Sequence, residues 1–189
     1  MGKFAGKIGL LGLALALAGA LVLVGCGGSG QAAPAKTDTL SGELPDILTA
    51  ILDGAEEIMG EAGRLGMTFN EEVTAEGSQG MLGLTAEQFE LYVDKAYASN
   101  AAIISIAHEV ALIKCKDFDA AAEVKALAAG GFDPLKWVCV VPERCFVMDS
   151  GSYVLLAATA LPIADALGQS FEALADGNAG ETNVFYTSE

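Results

Sequence analysis

The chain has few of the residues that build nucleic-acid-binding faces and most active sites. Its 189 residues include one histidine, one tryptophan and 10 Lys plus Arg against 25 Asp plus Glu, so the formal charge is −15. Binding to nucleic acid needs a basic face, and electrostatic docking on anionic lipid needs basic residues as well. The shortage of positive charge therefore argues against nucleic acid as a partner and against a membrane-binding surface on the domain itself.

The sequence also lacks the motifs that mark common catalytic sites. It contains no H-E-x-x-H, G-x-S-x-G, S-x-x-K, P-loop or EF-hand pattern. A G-x-G-x-x-G pattern at residues 25–30 follows no strand and precedes no helix, so it does not indicate a dinucleotide site. His108 is expected to lie exposed in a turn, without a catalytic or ligand role. We therefore expect no catalytic residue, no cofactor and no metal.

The N-terminal segment, by contrast, has the pattern of an export signal. Two lysines precede an uncharged apolar run over residues 8–25. The segment Leu23-Val24-Gly25-Cys26 resembles the bacterial lipobox, in which the cysteine receives a diacylglyceryl group and the peptide before it is removed. The resemblance implies that residues 1–25 are a signal peptide and that Cys26 carries a lipid anchor facing the outside of the cytoplasmic membrane. The alternative is an uncleaved anchor helix with an incidental cysteine.

The composition after the signal predicts a tether and one domain. Residues 26–40 are small, polar and without periodicity, which is typical of a flexible tether. Residues 41–177 contain the periodic apolar segments, and residues 178–189 are expected to be a frayed tail. A chain of this length has room for one ordinary domain, which we expect to be monomeric.

The apolar spacing predicts an α+β fold. Helices are predicted over residues 44–63, from residue 85, over 118–129 and over 162–177. Strands are predicted over residues 91–104, 109–116, 144–149 and 153–160. The strands form two adjacent hairpins, which predicts a four-stranded, mainly antiparallel sheet with helices packed on one face.

Two segments of the domain resemble a family of bacterial lipoproteins. Glu109 to Lys114, followed by Lys116-Asp117, has the form E-hydrophobic-A-hydrophobic-hydrophobic-K, and Gly151 to Leu156 is similar to the family's final hairpin. The chain resembles this family, domain of unknown function 4358, over about residues 48–160. Gly83-Leu84-Thr85 replaces the family's G-hydrophobic-aspartate segment, and the helix after Lys116 is less charged than in the family. The family has no established activity, so the resemblance implies a fold and a location but no reaction.

Three cysteines remain besides Cys26. Cys139 and Cys145 bracket a proline, and an oxidising compartment would allow a disulfide between them, with Cys115 as a buried strand thiol. Three buried free thiols are the alternative. Four aromatic residues are expected to fill the core or cover a sheet edge rather than to line a ligand surface: Tyr92, Tyr97, Trp137 and Tyr153.

The function predicted from these patterns is that of a lipid-anchored extracytoplasmic envelope protein. It is expected to act without catalysis, as a binding or interaction module for an unknown envelope protein or small ligand. The alternative is a small extracytoplasmic enzyme that uses carboxylates alone. Adjacent carboxylates such as Glu56-Glu57 and Glu71-Glu72 are plentiful, but they point apart on a helix and nothing in the sequence marks one as buried.

Overall fold

The computed structural model of the protein describes residues 37–60, 66–103 and 105–188. The predicted signal peptide and the predicted lipid attachment at Cys26 lie outside the described residues. Within these ranges, no helix combines the length and the apolar character that crossing a membrane requires.

The described residues form five helices and six strands. The helices are α1 (Leu44–Met59), α2 (Ser78–Leu82), α3 (Ala86–Tyr92), α4 (Phe118–Gly131) and α5 (Leu161–Leu174). The strands are β1 (Thr68–Glu72), β2 (Val93–Ala101), β3 (Glu109–Cys115), β4 (Arg144–Ser150), β5 (Tyr153–Thr159) and β6 (Asn183–Thr187).

All six strands belong to one antiparallel sheet with the order β1-β2-β3-β5-β4-β6. The α+β class and the two predicted hairpins, β2–β3 and β4–β5, are confirmed. The predicted number of four strands is wrong, because β1 and β6 add an edge on each side. β6 occupies the segment expected to be a frayed tail, and it is held by pairing with β4.

Helices cover both faces of the sheet, so the prediction of helices on one face is wrong. Val110 and Leu112 of β3 belong to a core that also contains the buried faces of α1 and α5. Ala111 and Ile113 belong to a second core, shared with α4 and α2. Every residue of β5 is buried. A strand with two apolar faces needs cover on both sides, which is why the fold has three layers.

Local signals in the sequence explain several of the helix starts. The capping box predicted at Thr85 is present, since its side chain accepts a hydrogen bond from the backbone of Gln88 while the Gln88 side chain accepts one from the backbone of Thr85. Asp117 caps α4 by accepting a hydrogen bond from Ala120 N. Pro45 lies in the first turn of α1, where a missing N–H costs nothing.

The first described residues pack against the turn between β4 and β5. We call this end of the sheet the hairpin end. Asp38 accepts hydrogen bonds from the Ser152 backbone and hydroxyl and pairs with Lys114 of β3. Burial alone would raise the pKa of Asp38, but the hydrogen bonds from Lys114 and Ser152 lower it below its ordinary value. Leu40 is buried in the core. The predicted tether, residues 26–40, is therefore too long at its C-terminal end, because residues 38–40 pack on the domain.

Candidate functional site

The opposite end of the sheet, which we call the loop end, carries most of the buried polar side chains that could do chemistry. Here β3 begins, β5 ends and β4 begins, as the register of Glu109 with Ala158 and of Arg144 with Thr159 shows. His108 and Glu109 are each 4% exposed. Successive side chains of a strand point to opposite faces, so these two neighbours lie in different layers.

Glu109 faces the layer that contains α4. Its Oε2 accepts a hydrogen bond from Lys136 Nζ at 2.7 Å, and its Oε1 has no partner among the described residues. The pKa of Glu109 is raised from 4.5 to about 7. Burial is the main cause, Lys136 opposes the rise, and the negative charge of Glu71 adds to it. Glu71 reaches this position from β1, where Asn100 Nδ2 donates a hydrogen bond to its Oε1 at 3.0 Å. The structure thus brings together two carboxyl groups that the sequence did not pair.

Lys136 connects three parts of the loop end. Besides binding Glu109, its ammonium donates a hydrogen bond to Gly80 O of α2 at 2.7 Å. It also lies 4.4 Å from the ring centroid of Phe132 and 4.9 Å from that of Trp137. Lys136 therefore fixes the segment between α4 and β4 against β3, and its contact with Glu109 leaves little access to that carboxyl group.

His108 is buried, and the prediction that it is exposed is wrong. Its Nδ1 lies 2.8 Å from the Thr159 hydroxyl, while its Nε2 has no partner among the described residues. Burial lowers the pKa of His108 from 6.5 to about 4, so the ring is neutral at pH 7. The recess that it lines with Met67 and Ile106 measures ≈ 30 Å³, which is too small for a substrate. His108 is buried because it immediately precedes a central strand that is covered on both faces.

Next to Thr159, Arg144 marks one end of a larger groove between α5 and the strands β4 and β6. Arg144 pairs with Asp165 of α5. The groove has a volume of ≈ 450 Å³, and its lining residues are Arg144, Phe146, Met148, Ala164, Asp165, Gly168, Gln169, Glu172, Thr182 and Val184. Neither Glu109 nor Glu71 lines it, so the two carboxyl groups and the groove are separate features.

Six of the twelve exposed large apolar side chains in the described part of the chain lie on connecting segments at the loop end. We call this set the loop-end patch: Met67, Ile103, Ile106, Leu135, Val138 and Val141. Val138 is 98% exposed and Met67 80%, which is unusual for large apolar residues. All six lie on segments that connect the strands and helices at this end. Leu91, which is 61% exposed, lies instead on α3 close to the hairpin end.

The three described cysteines are free thiols. Cys115 and Cys145 are buried, and burial raises the pKa of each to about 12, so neither is a nucleophile at neutral pH. Cys139 is exposed, and the disulfide that its spacing from Cys145 permits is not formed. Within the described part of the chain, no cluster of three or more His, Cys, Asp and Glu residues could hold a metal ion.

The aromatic residues pack as the sequence predicts. Tyr153 is buried, while Tyr92, Tyr97 and Trp137 are partly buried against the two cores. They contribute apolar contacts rather than the walls of the groove.

No protein family, curated protein or solved structure matches the chain. The resemblance to the family of domain of unknown function 4358 rests on its two motifs and stays a prediction. In the structure these motifs are the adjacent central strands β3 and β5, which pair from Glu109 with Ala158 to Lys114 with Tyr153. Most of the motif residues are therefore core residues, and they identify no site.

Proposed function

We propose that the protein is a lipid-anchored extracytoplasmic binding module that contacts another envelope protein through the loop-end patch. The observation that carries this proposal is the exposure of six large apolar side chains at one end of the domain. Grouped exposed apolar residues mark interaction sites, because burying them against a partner removes their contact with water.

The position of the first described residues supports the same proposal. Asp38 is bound at the hairpin end, so the first described residues lie at the end of the domain opposite the loop-end patch. The eleven residues between Cys26 and Asp38 let the two reach at most about 40 Å apart. The strands place the loop end roughly 25 Å beyond the hairpin end. With a lipid on Cys26, the domain is tethered through the end opposite the loop-end patch, so the attachment leaves that patch free to bind a protein partner.

A second candidate function is that of a small enzyme that uses carboxylates, which the chemistry of Glu109 favours. A carboxyl group with a pKa of about 7, beside the second carboxylate Glu71, has the property of a general acid at neutral pH. However, Glu109 is 4% exposed and bonded to Lys136. A substrate would reach it only after the segment that carries Lys136 had moved, so binding is the better-supported function.

The experiment that tests the proposal places a photoreactive amino acid at Val138 in the full chain, in the cells that produce it. A position of similar chemistry at the other end of the domain, Leu91, is the control. We expect a discrete cross-linked protein adduct from Val138 and not from Leu91. The adduct should disappear when Leu135→Asp is added, because a charge in the loop-end patch opposes burial.

Two results would contradict the proposed function. One is the same adducts from Val138 and Leu91, which would show that the loop-end patch selects no partner. The other is loss of the cellular phenotype in a folded Glu109→Gln variant that keeps its Val138 adduct. That second result would favour the enzyme instead.

A further inference from the structure

The groove beside α5 has an apolar floor and lacks one wall. Phe146 and Met148 of β4 and Val184 of β6 line it, and its ≈ 450 Å³ falls in the size range of ligand pockets, about 300–1,000 Å³. α5 forms the existing wall. There Gly168 leaves space above the floor, since a Cβ at Gly168 would lie 3.6 Å from Met148 Sδ. The opposite side is open because β6 is the last strand of the sheet in the described chain.

The edge of β6 is of the kind that accepts another strand. No described strand pairs with its outer side. Its sequence, Asn183-Val184-Phe185-Tyr186-Thr187, contains no charged residue and no proline, the two commonest residue types that protect sheet edges from pairing. The other edge strand, β1, carries Glu71 and Glu72. The two edges of the sheet therefore differ, and β6 is the unprotected one.

The charge around the groove selects the kind of strand that fits. Asp165 and Glu172 line it, and Glu181, whose backbone oxygen accepts a hydrogen bond from Lys125, directly precedes the lining residue Thr182. Arg144 is the one cation among these lining residues, and it is already paired with Asp165. A second copy of this chain would bring a like-charged edge and a further −15 of formal charge. Charge complementarity therefore favours a basic partner over a second copy.

We propose that β6 and this groove bind an extended, basic segment of another protein as an added strand. The backbone of that segment pairs with the free edge of β6, which supplies affinity without regard to sequence. An apolar side chain of the segment enters the groove over Phe146 and Met148, and its Lys or Arg side chains lie beside Glu172. This surface is separate from the loop-end patch, so the inference stands or fails independently of the proposed function.

The test uses the full chain in a neutral detergent and a fluorescent peptide of alternating lysine and valine, measured by fluorescence anisotropy. A peptide of the same charge in which prolines replace the valines is the control, because it cannot complete a strand ladder. We expect the lysine–valine peptide to bind about tenfold more tightly than the proline peptide at an ionic strength of about 0.15 M. Equal binding of the two peptides would show charge attraction alone and overturn the proposal.

Two variants locate the site. Val184→Lys places a protecting charge on the edge and should weaken binding about tenfold, whereas Leu91→Lys makes the same change of charge at a distant exposed position and should not. Gly168→Phe fills the groove and should also weaken binding. If Gly168→Phe does not fold, the comparison of the two lysine variants decides the matter. Equal affinities for Val184→Lys and Leu91→Lys would place the peptide elsewhere and refute the inference.

Discussion

His108 and Glu109 show how burial acts on two neighbouring residues with opposite charge. Each is 4% exposed, and burial disfavours the charged form of both. For the histidine the charged form is protonated, so its pKa falls; for the carboxyl group the charged form is deprotonated, so its pKa rises. Two residues that are adjacent in sequence therefore make opposing contributions to the dependence of stability on pH.

The sign of each contribution follows from linkage. The pKa of Glu109 is about 7 in the folded state against 4.5 ordinarily. Its stabilising contribution to the free energy of unfolding is therefore present below pH 4.5 and is lost as pH rises through 7. The pKa of His108 is about 4 against 6.5, so its contribution is present above pH 6.5 and is lost as pH falls through 4. Each is on the order of 3 kcal/mol, and the two oppose each other between about pH 4.5 and 6.5.

We expect single substitutions to separate these contributions. Relative to the parent protein, Glu109→Gln should gain stability as pH rises from 4.5 to 7, because the cost of ionising a buried carboxyl group is gone. His108→Gln should gain stability as pH falls from 6.5 to 4, because no buried imidazole must become protonated. Chemical denaturation across this pH range measures both. Profiles of both variants that run parallel to that of the parent would show that neither residue titrates abnormally.

At the scale of the elements, the sequence predicts those parts whose signal is local. The hairpins β2–β3 and β4–β5 follow from apolar runs and from the glycine turn at Gly151, and α3 follows from its capping box. β1 is missed because its sequence TFNEE is mostly exposed on a sheet edge and has no alternation to detect. Helices on both faces were predictable, since the continuous apolar run of β5 is typical of a strand covered on both sides.

The candidate sites depend on contacts between distant residues, which a single sequence does not display. Glu109 and Lys136 are 27 residues apart and come from different elements. Glu71 joins them only because β1 pairs with β2 and β2 with β3. The one local signal is that Glu109 is the first residue of a strand of buried residues, which indicates that its carboxyl group is buried as well.

β6 provides a direct test of the packing at the edge of the sheet. Phe185 packs edge-on against Phe132, with ring centroids 6.0 Å apart, whereas Val184 is 45% exposed. We expect Phe185→Ala to lower the free energy of unfolding by about 1–3 kcal/mol, through lost apolar contacts. Val184→Ala should change it by about 0.5 kcal/mol or less. Denaturant titration of the full chain distinguishes the two, and equal small effects would mean that this segment is frayed after all.

At the scale of the whole molecule, the two ends of the sheet have different properties. The hairpin end is polar and tightly bonded: Asp38, Lys114 and Ser152 interact there, and a Cβ on Gly151 would lie 2.4 Å from Asp38 Oδ1. The loop end exposes large apolar residues. The start of the described chain lies at the first end and the proposed partner surface at the second. The separation of these two ends matters for partner binding only if the chain before Asp38 is anchored.

A lipid on Cys26 would provide that attachment. The sequence before Cys26 resembles a lipoprotein signal, and a diacylglyceryl group brings two acyl chains, each methylene worth about 0.8 kcal/mol when buried. We expect metabolic labelling with a fatty acid to mark the full chain and Cys26→Ala to lose both the label and membrane attachment. Cys139→Ala is the matched control, because Cys139 is an exposed free thiol that should have no part in attachment. If the Cys26→Ala chain stays labelled and membrane-bound while Cys139→Ala loses its label, the lipid is attached to Cys139, at the loop end. The loop-end patch would then face the membrane, and the proposed protein partner would have to be abandoned.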